Sequence, residues 1–447
     1  MKIYHLGHSC FKVKLKGYTF LLDPWLDELA FFKSWYPLFK MDPAELGHID
    51  YMWFSHEHPD HFNPEYVKKI LFKNKNIQVL FQNTFDKKIY NFFKSLNTNI
   101  IELRNQKYLK IDNNIKIQIN SCGLYDSYFQ IKDEDFCFTH LNDCVFSFSS
   151  QLRPALEFSN DNQHILTSQF GLAHLPCDHR KKLQLKKFMD DKISKLIDQI
   201  KYLRPDYFIP SSSSVHFCHE ENQHMNDTRI NPYDLKDRIK FTKFILGDQN
   251  TELNFKNKKK RGGGVNCKCD NLSRKKYDEL LKNTKNKILI KSKPVSYDEI
   301  IINIKKKSDK LKKLNNKFIL FFLKIFTIIL KDCNFYIKDT KQFIRVNVLN
   351  NKIKEIKLCK NYVELSSCTI NNLYKSDFSI DSLIASGCFT LNNYSINELN
   401  DHLNIDNLNQ AGIYLKFSTL FNIGIYRKLF GILFQYLRFK FLHKNDI

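Results

Sequence analysis

Ser55-His56-Glu57-His58-Pro59-Asp60-His61-Phe62 follows directly on the apolar run 49–54, and the reading of this stretch decides the fold. The run before it is short and β-rich, so it reads as a buried strand. Side chains two apart on an extended chain point to the same side. His56 and His58 can therefore both grip one metal ion where the strand ends. Pro59 turns the chain and offers Asp60 and His61 to a neighbouring ion. Imidazole and carboxylate together suit Zn²⁺, Fe²⁺ and Mn²⁺. Open positions beside such ions activate water or bind O₂.

Outward from this motif, segments 2–6, 10–15 and 18–22 read as strands separated by glycine-containing turns, and 64–72 reads as a helix. Further strands are expected at 77–81, 115–119, 128–131 and 144–148. A long helix over 182–203 has apolar residues at helical spacing, with a strand at 207–210 after it. Residues 256–270 break the pattern. Lys258, Lys259, Lys260 and Arg261 precede Gly262, Gly263 and Gly264, which reads as a linker. Beyond it a helix over 298–314 and strands at 334–337, 343–348 and 352–358 suggest a second α+β unit. The expected division is a catalytic domain over 1–250, a basic linker over 251–290 and a C-terminal domain over 291–447.

With 447 residues, 43% of them hydrophobic and 14% aromatic, the chain has enough apolar material for two cores and too much for disorder. Its net charge is +23, but Lys dominates Arg, and Lys, Asn and Ile abound together, as coding-sequence bias would produce. Nucleic acid is accordingly not the expected partner. The 12 cysteines form no disulfide framework. The start, Met1 to His8, has no apolar signal core. Runs 318–330 and 420–441 are interrupted by Lys324 and by Arg427, Lys428 and Arg438. Neither reaches the ~20 apolar residues of a membrane span. A cytoplasmic protein is expected, with membrane-surface contact by the C-terminal segment left open.

His56-x-His58-x-Asp60-His61 resembles the signature of the metallo-β-lactamase superfamily, and Leu6 to Phe11 and Leu22 to Leu26 resemble its opening strands. A narrower resemblance is to CMP-N-acetylneuraminate hydroxylase and its bacterial relatives. It rests on Asp23-Pro24-Trp25, Leu141-Asn142-Asp143-Cys144, Thr167-Ser168-Gln169-Phe170, and Val215 to Asn222 leading to Met225-Asn226-Asp227. This likeness covers about residues 1–240. Phe378 to Leu383 with Ser386-Gly387-Cys388-Phe389 is similar to the sterol-carrier-like C-terminal module of that group.

The resemblance implies an αββα sandwich with metals at one edge, followed by a smaller α+β domain. It implies Asp143 as the metal-bridging carboxylate and His219 as the last histidine ligand, beside His56, His58, Asp60 and His61. Asp60 is the candidate catalytic group, orienting the hydroxide of a hydrolase. His8, at a strand end near the expected metal face, is a candidate substrate contact or a turn cap, and Gln169 and Asn222 are substrate contacts implied by family position. The superfamily's third motif usually supplies a histidine, but 115–131 contains none, and Asp126 is the candidate there. A carboxylate at that place hardens the ligand set and leans toward iron, with zinc or manganese as alternatives. The family's Rieske cluster needs Cys-x-His before Cys-x-x-His. Here Cys137-x-x-His140 precedes Cys177-x-His179, so no iron–sulfur cluster is expected in this chain. An oxygenase would then draw electrons from a separate protein and act on a small anionic metabolite such as a sugar nucleotide. Two alternatives remain open at this point: a dinuclear zinc or manganese hydrolase of phosphodiesterase or lactonase type, and a nuclease or nucleic-acid-binding protein.

Overall fold

The protein is described here from a computed structural model covering residues 1–418 apart from 145, 147, 173, 247–249, 258–263, 268–273 and 326–329. Two large sheets face one another. The first runs, in spatial order, Gly264–Cys267, Glu252–Lys256, Lys2–Gly7, Cys10–Leu15, Tyr18–Leu22, Tyr51–Trp53, Gln78–Gln82 and Asn99–Leu103. The second runs Lys243–Phe244, Tyr207–Ser211, Gln163–Gln169, Phe136–His140, Asp126–Lys132, Ile115–Cys122 and Tyr108–Ile111. Alternation along each strand explains why both faces are covered. Phe11, Val13, Phe20, Leu22 and Leu80 meet Ile117, Ile119, Phe129, Phe138 and Ile165 between the sheets. Cys10, Leu21, Val79 and Phe81 turn outward onto helices Pro64–Lys73 and Lys88–Ser95. Leu166 and Phe208 turn outward from the second sheet onto Arg153–Ser159 and Lys182–Leu203. The result is an αββα sandwich.

Tyr18–Leu22, Tyr51–Trp53 and Gln78–Gln82 run parallel, as do Phe136–His140, Gln163–Gln169 and Tyr207–Ser211. Parallel strands deliver their following loops to one edge, where segments 55–62 and 141–144 meet. The strand expected at 144–148 falls partly on residues 145 and 147, which lie outside the described residues; the described residues 144, 146 and 148 form no strand, and the chain pairs instead at Phe136–His140. Alternating burial is lost in a stretch buried on both sides, so an apolar period alone misplaces such a strand.

A further five-stranded sheet is ordered Lys352–Glu355, Gln342–Asn347, Cys333–Ile337, Tyr362–Leu365 and Thr390–Asn392. Helices Tyr297–Leu314, Ser367–Lys375, Ser379–Ser386 and Ile396–Gln410 accompany it. Its core (Ile304, Phe335, Val363, Leu383) is continuous with Trp25, Trp35, Phe217 and Met225 of the sandwich. Trp35 Nε1 donates to Ala385 O at 2.8 Å, and Asn222 Nδ2 to Ser386 O at 2.7 Å. Part of the stretch read as a linker is structured. Glu252–Lys256 and Gly264–Cys267 form an antiparallel pair on the edge of the first sheet, and Arg274–Lys287 is helical. Leu253 and Phe255 fill the inter-sheet core there, a pairing that the surrounding Lys and Gly composition obscures. The basic run 258–261 and the apolar run 420–441 lie outside the described residues. Among the described residues no helix is long and apolar enough to cross a membrane.

Candidate metal centre

The loop after Tyr51–Trp53 is fixed at both ends. Ser55 N donates to Asp23 Oδ1 at 2.7 Å, so the loop leaves the sheet anchored to a buried carboxylate. At its far end Asn63 caps the helix Pro64–Lys73 by accepting from Tyr66 N at 3.0 Å, with Pro64 at the first helical position. Between these anchors His61 N and Phe62 N both donate to His58 O, at 3.0 and 2.8 Å, closing a tight turn.

That turn gathers the histidines and carboxylates. His56 Nε2 lies 2.9 Å from His58 Nδ1. His61 Nε2 lies 3.2 Å from both Asp60 Oδ2 and Asp143 Oδ2. Asp126 Oδ1 lies 3.5 Å from His56 Nδ1, and His8 Nε2 lies 3.3 Å from Asp60 Oδ2. Two overlapping groups, His56/Asp60/His61 and His8/His61/Asp143, each place their ligand atoms within 4.8 Å of one another. Burial depresses the His56 imidazole well below its usual range, with His61 and His58 adding repulsion. Burial opposes a charged His61 too, but Asp60, Asp143 and Asp23 overcome it and hold that ring's pKa well up. Burial pushes Asp126 up to about 7.

This donor set fits a metal ion. Asp60 Oδ1 and Asp143 Oδ1 are buried without a hydrogen bond, as are both His8 ring nitrogens. Unpaired buried acceptors are costly, and several converging on one point call for a cation. Three imidazoles and three carboxylates within one cluster are also the ligand types that divalent transition metals take.

Asp23 is the organiser that motif spacing did not reveal. Its Oδ2 lies 3.1 Å from His61 Nδ1, 3.8 Å from His140 Nε2 and 3.4 Å from Ser9 Oγ. Burial alone would raise this carboxyl, but His61 and His140 pull it far below the usual range. The carboxylate thus holds His61 with Nε2 turned toward Asp60 and Asp143. The Asp23-Pro24-Trp25 match was the only sequence signal for it.

Of the implied residues, His56, His58, Asp60, His61, Asp126 and Asp143 come together, and His8 joins them. Gln169 lines the same cleft and donates to Asp143 O. His219 does not join them. Its Nε2 lies 2.8 Å from Ser292 Oγ and its Nδ1 accepts from Glu221 N at 3.2 Å, in a separate group with Glu221 and Cys388. The strand pairing Val215–Phe217 with Trp35–Pro37 carries it toward the C-terminal sheet instead. Asn222 is also occupied elsewhere: its oxygen accepts from His219 N, and its amide joins Ser34 O to Ser386 O. It tethers the two sheet systems and does not line the cleft.

The cleft measures about 1690 Å³. His58, Asp126, Asp143 and Lys192 face it from the sandwich, and Tyr362 and Asp381 from the C-terminal part. Burial lowers the Lys192 ammonium to about 8. Sequence reading missed Tyr362, Lys192 and Asp381, since nothing local distinguishes them from surface residues.

The Beta-lactamase superfamily domain matches residues 2–158. A protein of Mycolicibacterium smegmatis named for a Rieske 2Fe-2S iron-sulfur centre is 36% identical over 83 residues, which is 18% of this chain and 15% of that protein. Cytidine monophosphate-N-acetylneuraminic acid hydroxylase of Pongo pygmaeus is 27% identical over 133 residues, 28% of this chain and 22% of the hydroxylase. The matched segments therefore span less than a quarter of either relative. Among solved structures, a metallo hydrolase from the archaeon Ignicoccus hospitalis is 16% identical, with a TM-score of 0.41 over 57% of this chain and 99% of its own. Residues 2–158 are thus similar to the Beta-lactamase superfamily domain, and the cluster of His56, His58, Asp60, His61, Asp126 and Asp143 lies within the matched stretch.

Proposed function

We propose that this protein is an iron-dependent oxidoreductase of hydroxylase type, acting in the cytoplasm on an anionic metabolite such as a sugar nucleotide. His56, His58, Asp60, His61, Asp126 and Asp143 would hold the metal. The observation that carries this reading is the carboxylate content of the cluster: Asp126, the candidate for the third-motif ligand, lies 3.5 Å from His56 Nδ1, near Asp60 and Asp143. Added carboxylate hardens the site and favours the more highly charged states that oxygen chemistry requires. The stretch similar to CMP-N-acetylneuraminic acid hydroxylase supports the same chemistry and substrate class. Bound metal would supply redox capacity and a Lewis acid.

The chain's own residues do the positioning. Asp23 fixes the His61 ring, and Ser55 through its backbone fixes the loop. His8 sits against Asp60, and Gln169 steadies the Asp143 segment through its backbone carbonyl. Lys192 provides a cation facing the cleft, suited to an anionic group on the substrate. Electrons would come from a separate donor protein.

The test is metal analysis of protein prepared without oxygen, followed by turnover assays. Bound iron, with O₂ uptake that needs a reductant and CMP-sugar, is the expected result. Stoichiometric zinc with no iron, together with O₂-independent cleavage of a phosphodiester or lactone, would replace this reading with a hydrolase.

A further inference from the structure

His58 presents its two ring nitrogens to different parts of the molecule. Nδ1 faces His56 Nε2 at 2.9 Å, inside the donor cluster. Nε2 points away from it, is buried, and makes no hydrogen bond. The side chain in front of Nε2 comes from the C-terminal module: Asp381 Oδ2, 3.8 Å away. Asp381 is itself held. Tyr125 OH donates to its Oδ2 at 3.0 Å, and Asn407 Nδ2 donates to its Oδ1 at 2.9 Å. Phe378, three residues earlier, packs its ring edge-on against His58 with centroids 4.9 Å apart.

We propose that Asp381 is a positioning residue that holds His58 in the tautomer protonated on Nε2, leaving Nδ1 free to bind metal. This inference rests on the metal-centre reading. A neutral imidazole carries one N–H, and the nitrogen that bears it cannot donate a lone pair. A proton on Nδ1 would remove His58 from the ligand set. At 3.8 Å the contact is longer than a hydrogen bond. A carboxylate at that distance still favours an N–H dipole aimed at it, because the surrounding medium is protein. Partners of this kind behind a ligating histidine commonly govern metal affinity and ring orientation. The role differs from that of Asp23, which holds His61 from within the sandwich. Asp381 holds its histidine from another module, so the centre is complete only when that module is docked.

The experiment uses the full chain with Co²⁺ as the probe. Asp381→Asn keeps the shape and, with its oxygen left on Asn407 Nδ2, turns an amide N–H donor toward His58 Nε2 and Tyr125 OH in place of Oδ2. Chelator competition should show Co²⁺ bound about 10- to 100-fold more weakly than in the wild type. Nitrogen-15 correlation spectra of the metal-free proteins should show His58 protonated on Nε2 in the wild type and shifted toward Nδ1 in the variant. A merely structural role would not move that signal. Tyr125→Phe retains the carboxylate and should lose less affinity than Asp381→Asn. Unchanged affinity and tautomer in Asp381→Asn would overturn the proposal. A wild-type chain that takes up no Co²⁺ would overturn the metal reading itself. The tautomer measured on the same metal-free sample would then still decide the role of Asp381.

Discussion

Asp126 and His219 mark what single residues reveal and conceal. Asp126 is a candidate because 115–131 holds no histidine, and it lies 3.5 Å from His56 Nδ1. Replacing it with histidine should leave a metal bound but shift the preference toward zinc, since an imidazole removes one negative charge from the cluster. Elemental analysis of Asp126→His grown with both metals checks this. A wild-type iron-to-zinc ratio would show that Asp126 merely borders the site. The contiguous motif was legible because a strand end imposes its own geometry on His56, His58, Asp60 and His61. His219 was misplaced because its neighbourhood depends on the pairing of Val215–Phe217 with Trp35–Pro37, which local spacing does not encode. Asp381 was invisible for the same reason: its meaning comes from a contact with His58 across the fold.

At the scale of elements, the helix Ser379–Ser386 brings the C-terminal module to the centre, and Gly387 ends it. Gly387 adopts φ +65°, the left-handed conformation that terminates helices, and its N–H donates to Leu383 O at 3.2 Å. A methyl group there would lie 2.7 Å from Met225 Cγ. Gly387→Ala should therefore lower unfolding free energy by about 1–3 kcal/mol, read as a lower urea midpoint at unchanged slope. A midpoint equal to that of the wild type would mean that Met225 yields and the backbone strain is negligible. Sequence periodicity located the helices Lys182–Leu203 and Tyr297–Leu314 because their apolar stripes repeat over several turns. It lost the strand Phe136–His140, which is buried on both faces, and the edge pair Glu252–Lys256 with Gly264–Cys267, whose composition resembles a loop.

For the whole molecule, a net charge of +23 will attract any polyanion through counterion release. Filter binding to a generic DNA duplex at physiological salt should be micromolar or weaker and vanish as salt rises. Salt-resistant nanomolar binding would instead indicate a built nucleic-acid site. The shared core that joins Trp35 and Met225 to Leu383 and Val363 makes the sandwich and the C-terminal module one packed body, a union that composition alone did not suggest. The link from Tyr125 to Asp381 spans 256 positions along the chain. A ribosome adds about 5–20 residues per second, so roughly 13 to 51 s pass between the birth of the tyrosine and that of its carboxylate partner. The histidine loop, made earlier still, waits through that interval on a nascent chain with one wall of its cleft unwritten. Metal capture during synthesis would have to work without Asp381, and tight retention would begin only once the late-made wall had closed over the site.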